Sequence, residues 1–111
     1  MAVTRSVTVY GFGSAFADVA AANDVDLLII HPETNAASCE LAIRCKHHLA
    51  EHIARVHVTM LSASEEAHFQ FIKRARALGL GIVRNSHLQK DFEALLVEIQ
   101  KRSAQSLVRT M

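Results

Sequence analysis

The stretch VYGFGSAFADVAAANDVDLLIIH, Val9 to His31, joins two apolar runs through a glycine-rich bend and sets Asp24 and Asp26 at the entrance of the second run. Its reading decides the fold. Ser6 to Tyr10 is β-branched and aromatic enough to predict a strand, and Gly11-Phe12-Gly13-Ser14 ends it with a tight turn that two glycines permit. Ser14 then stands as the cap of a short helix, Ala15 to Ala22, whose small residues favour helix and allow close packing on a sheet. Val25 to His31 is nearly continuous in apolar residues, as expected of a strand covered on both faces, and Pro32 ends it.

Beyond a loop over Pro32 to Ala36, the spacing of Leu41, Cys45, Leu49 and Ile53 predicts a helix from Ala37 to Ala54. Arg55 to Leu61 returns to strand character. Val56, Val58 and Met60 alternate there with His57 and Thr59, so the last two share a side. Ser62 and Glu65 fit a capping box, and His68, Phe71, Ile72, Ala75 and Leu78 mark one face of the helix that follows. Gly79 and Gly81 are expected to close that helix, with Leu80 to Val83 a short edge strand. A second capping box is expected at Ser86 to Gln89. It introduces the clearest amphipathic helix, marked by Leu88, Phe92, Leu95, Leu96 and Ile99 and weakening beyond Arg102. Strands and helices alternate without repeat or linker, which predicts one α/β (α+β) domain over residues 1–111, a sheet with helices packed against it.

Half of the 111 residues are hydrophobic, only 5% are aromatic and none is Trp, so the core must be aliphatic. Twelve basic against eleven acidic side chains leave a formal charge of +1, which argues against nucleic acid and an anionic membrane as partners. Cys39 and Cys45, six apart on one helix, are poorly placed to pair with each other. Two packed, reduced thiols and the lack of a leader-like or membrane-spanning run predict a cytoplasmic protein.

Asp24 and Asp26 are two apart at a strand entrance, so both side chains leave one face, with Cα atoms about 7 Å apart by strand rise. Carboxylates so placed suit Mg²⁺, a hard cation commonly completed by waters and substrate phosphates. Gly13 and Ser14 offer backbone N–H groups and a hydroxyl to a phosphate at a strand-to-helix turn.

Gly13-Ser14, the short helix and Asp24-Val25-Asp26-Leu27-Leu28-Ile29 together resemble the signature of the DNA polymerase beta-like nucleotidyltransferase superfamily, particularly its small stand-alone minimal members. The resemblance implies a nucleotidyltransferase-like mixed sheet with helices packed against it. It further implies that Gly13 and Ser14 bind the triphosphate of a nucleotide, that Asp24 and Asp26 bind Mg²⁺ or Mn²⁺, and that a nucleotidyl group passes to a hydroxyl acceptor. Members of that family carry a third acid on a later strand; here the strand reads Val56-His57-Val58-Thr59, which makes His57 the candidate base. Small members also often carry Arg and Gly shortly after the Ser, where this chain has Ala17 and Asp18. The alternative is a catalytically impaired module that binds a nucleotide or a protein, as a regulatory or antitoxin-like partner.

Other signals carry less. Cys45, His48 and His52 share part of one helix but lack a further ligand marked by motif, and no zinc site is assigned to them. Lys73, Arg74, Arg76, Lys101 and Arg102 suit helix ends facing solvent, and Glu65 and Glu66 suit a first helical turn. An outer face of the last helix could pair with a protein partner or a second copy, although packing within the chain explains its apolar residues.

Overall fold

In the computed structural model, which describes residues 5–17 and 24–103, the two apolar runs flanking the glycine bend lie side by side and antiparallel. They are β1, Ser6–Phe12, and β2, Val25–His31, with Tyr10 opposite Leu28 and Phe12 opposite Asp26. A helix, α1 (Ala36–His52), carries the chain to β3 (Val56–Ser62), which runs parallel to β2. Two short helices follow, α2 (Ala63–Phe69) and α3 (Phe71–Ala75), then β4 (Leu78–Arg84) and the last helix α4 (Leu88–Arg102). The strands are ordered β3-β2-β1-β4 in a mixed sheet, an α+β architecture.

Alternation of side chains sorts the sheet into two faces. Val7 and Val9 of β1 and Val25, Leu27 and Ile29 of β2 point to one side, where they are buried with Leu41, Cys45 and Leu49 of α1 and Phe92, Leu95 and Ile99 of α4. This aliphatic core supplies the main driving force for folding, since apolar area leaves water on both sides of the contact. The i, i+4 stripe expected from Leu41 to Ile53 is buried throughout. A register shift between Val9 and Tyr10 inserts one extra β4 residue, so that Leu80 joins the core although its neighbour Gly81 also faces it. Leu95 fills the space over Gly81, standing 3.5 Å from where a Cβ would be.

Several local expectations are corrected. β1 continues through Gly11 and Phe12, because pairing with β2 and β4 outweighs glycine's weak strand preference. The helix expected over Ala15 to Ala22 begins as a 3-10 turn, Ser14–Phe16, capped by Gly13 without a side-chain bond; positions 18 to 22 lie outside the described residues. The single helix expected after Ser62 is two. Gln70 adopts a left-handed conformation, and the Glu66 carboxylate accepts the Ile72 N–H at 3.2 Å, restarting the helix in a new direction. Gly79 and Gly81 do not close it; they lie within β4, and the left-handed residue that ends α3 is Arg76.

The first capping box is present in full, Ser62 Oγ accepting from the Glu65 N–H and Glu65 from the Ser62 N–H. The second is absent. Ser86 bonds His87 across a 3-10 turn, and the start of α4 is held instead by Asp91, which accepts from the Arg84 backbone and guanidinium.

Candidate functional site

Antiparallel pairing of β1 and β2 brings the end of one strand to the start of the other, so the Gly13-Ser14 bend meets the acids in space. Gly13 has φ +77° and ψ −169°, a combination essentially reserved for glycine, and a Cβ there would stand 2.5 Å from Asp26 Oδ2. The bend and the Asp26 carboxylate are therefore in direct contact. Next to them, Phe16 turns back across β1, and a Cβ on Gly11 would lie 2.6 Å from the tip of its ring. Phe16 N–H donates to Gly13 O at 3.1 Å and Ala17 N–H to Ser14 O at 3.2 Å, which closes the turn and leaves Ser14 exposed.

On the other side of β2, the parallel register sets His57 beside Asp26. Val25 N–H donates to Arg55 O at 3.0 Å and pins the entrance of β2 to that of β3, so Asp24 also reaches this corner. His57 Nε2 lies 3.7 Å from Asp24 Oδ2, with both side chains more than half exposed. Such a pair is worth little to stability and is free to accept other partners. Among the described residues, neither the Asp26 carboxylate nor the Ser14 hydroxyl makes a hydrogen bond or ion pair.

Gly13, Asp24, Asp26 and His57 thus gather at the end of β1 and the entrances of β2 and β3, with Asp26 and His57 on the face turned away from α1 and α4; Ser14 follows on the bend, whose next residues, Ala15 and Phe16, pack into the core on the other side. Asp24, Asp26 and His57 do not draw in to the spacing of a preformed ligand set: among the described residues, the three do not bring their ligand atoms all within 4.8 Å of one another. Asp24 is exposed and Asp26 half-buried.

One feature of the corner escaped the sequence. Phe12 shares the face of Asp26 and packs edge-on against Phe71 of α3, ring centroids 5.0 Å apart and planes at 82°. The break at Gln70 is what delivers Phe71 there, and only the expectation of one continuous helix hid it. An aromatic wall now borders the acids and the bend.

No protein-family model, curated protein or solved structure matches this chain. Among the described residues no helix is long and apolar enough to cross a membrane. Cys39 and Cys45 are both free thiols.

Proposed function

We propose that the chain is a metal-dependent nucleotidyltransferase, moving a nucleotidyl group from a nucleoside triphosphate to a hydroxyl acceptor. One observation carries the reading: the glycine bend stands against Asp26 while Asp24 and His57 close the same corner. The resemblance of Gly13-Ser14 and Asp24-Val25-Asp26 to the polymerase beta-like nucleotidyltransferases supports it. Reduced thiols suit a cytoplasmic setting for such a protein.

Asp24 and Asp26 fit Mg²⁺ or Mn²⁺, being hard oxygen donors on one strand face with solvent room for the waters these ions retain. When bound, the ion neutralises charge on the triphosphate and on the attacking oxygen. Gly13 brings the backbone close to the phosphates without a side chain intervening, and Ser14 adds a hydroxyl donor. Phe12 and Phe71 present an apolar flank for the base. The acceptor oxygen bonds to the α-phosphorus, the bond from that phosphorus to the bridging oxygen breaks, and pyrophosphate leaves. His57, when neutral, takes the proton from the acceptor hydroxyl.

A second reading rests on His57 itself. No carboxylate of β3 stands beside Asp26, and an imidazole cannot replace an anionic ligand, so a module that binds a nucleotide or a protein without turnover fits the same corner. Incubation with α-labelled triphosphates and Mg²⁺ or Mn²⁺ separates the two. Label transferred to protein, RNA or a small hydroxyl compound, and lost in Asp26→Asn, supports the transferase. Triphosphate binding that Asp26→Asn weakens, without any transfer, supports the nucleotide-binding module; no triphosphate binding at all refutes the transferase and the nucleotide-binding module alike.

A further inference from the structure

A second constellation lies on the opposite side of the sheet, on α1. His48, Glu51 and His52, spaced i, i+3 and i+4, bring one ring nitrogen from each histidine and one carboxylate oxygen to within 4.8 Å of one another. The sequence spacing grouped Cys45 with His48 and His52 and gave no ground for a zinc site; Cys45 is wholly buried in the core, and it is Glu51 that stands with the two histidines. We propose that His48, Glu51 and His52 form a binding site for a zinc-class divalent metal ion, separate from the acid corner.

The donor set supports a borderline metal. Two imidazoles and one carboxylate are typical of open zinc sites, where three protein ligands leave a position for water, and they discriminate against Mg²⁺. His52 is already oriented for the task. Its Nδ1 donates to His48 O at 2.8 Å, which places the proton on Nδ1 and leaves the Nε2 lone pair free to ligate.

The His48 ring is wedged against Phe92 of α4, centroids 4.5 Å apart, and stacks at 5.9 Å on the ring of His52. Its Nδ1 is shut off from solvent with no hydrogen-bond partner among the described residues. A polar atom in that state is a cost to folding. His48 and His52 also line a cavity of about 510 Å³ between α1 and α4, walled on the far side by Gln89 and Glu93. Glu51 lines a neighbouring depression with His47 and His48, so His48 borders both spaces.

Ligand atoms around a tetrahedral zinc stand about 3.4 Å apart, by the usual metal–ligand bond lengths, so the set must contract by rotamer adjustment. Glu51 is exposed and His52 only half-buried, and both have room to move.

Titration of the untagged, chelator-treated full chain with Zn²⁺ by calorimetry, and with Co²⁺ by visible absorption, tests the assignment. One ion per chain should bind with a micromolar or tighter dissociation constant. His52→Ala and Glu51→Gln should each weaken it at least about tenfold, while His47→Gln and Asp26→Asn leave it unchanged. Glu51 and His52 are the test positions because His48 packs against Phe92 and its replacement would disturb the fold; circular dichroism checks that the variants keep their fold. Absence of saturable one-to-one binding overturns the proposal, as does binding that survives both His52→Ala and Glu51→Gln. Binding lost in Asp26→Asn also overturns it, by moving the ion to the acid corner. The triphosphate experiment uses Mg²⁺ and Asp26→Asn, so failure of either proposal leaves the other standing.

Discussion

Replacing Gly13 by Ala applies two separable stresses at the point where the bend meets the acid. The backbone, at φ +77° and ψ −169°, lies in a region that a Cβ disfavours by roughly 1–3 kcal/mol. The new methyl would also sit 2.5 Å from Asp26 Oδ2, inside any tolerable contact. Because that oxygen ends a short rotatable side chain, relief comes by turning Asp26 off its preferred rotamer, at about 0.5–1.5 kcal/mol. The sum is a loss of about 1.5–4.5 kcal/mol, or on the order of 10 °C in the unfolding midpoint for a domain of this size.

Denaturant unfolding of Gly13→Ala, Asp26→Ala and the double variant forms a cycle. In the Asp26→Ala background the contact is gone and only the backbone strain is left, so the two substitutions should couple by about 0.5–1.5 kcal/mol. Under the proposed function, triphosphate binding by Gly13→Ala should fall together with stability, since the displaced carboxylate would crowd the bend. Two results would refute the reasoning. One is a Gly13→Ala protein within about 0.5 kcal/mol of the parent, and the other is strict additivity of the pair.

Further expectations follow from the core, the start of α4 and the thiols. Leu95→Ala should cost about 2–5 kcal/mol by leaving a void over Gly81, whereas Val97→Ala, exposed one turn-face away, should change stability by less than about 0.5 kcal/mol; equal effects in chemical denaturation would contradict the core assignment. Hydrogen bonds from the Arg84 guanidinium, aided by its backbone N–H, hold the Asp91 carboxyl at about 2. A carboxyl depressed on folding stabilises above its unfolded value, near 3.9 for Asp, and that contribution is lost as pH falls towards 2. Asp91→Asn should therefore lower the neutral-pH midpoint and flatten the acid limb between about pH 4 and pH 2; an unchanged acid limb in thermal melts would count against this. Burial pushes the Cys45 thiol up to about 12, so alkylation of the folded chain at mildly alkaline pH should mark Cys39 and spare Cys45, as peptide mass spectrometry will read; early labelling of Cys45 would place that helix face outside the core.

The order of strands and helices was legible in the sequence because each element carries its own periodicity. The i, i+4 stripe of α1, the alternation in β3 and the Ser62-Glu65 box are local patterns, and local physics enforces them. Gly13, Ser14, Asp24 and Asp26 were singled out from turn chemistry and strand phase, whereas His57 came only from the resemblance to a family with a third acid on that strand. What failed were boundaries at which a distant contact outbids a local preference. Gly11 extends β1 because strands on both sides pair with it, Phe12 because it pairs with Asp26 of β2, and Gly79 and Gly81 are recruited into β4 by pairing with β1.

Sequence by itself determined which faces are apolar, since side-chain phase depends only on the 2.0 and 3.6 residue repeats. Only tertiary structure decided that β1 and β2 are antiparallel, and this alone puts a glycine bend against an aspartate thirteen positions later. It likewise decided that Phe71 reaches Phe12 and that Phe92 of α4 seals His48 of α1. Pairing direction and helix docking arise from burial summed over the whole core, a quantity that no short stretch contains.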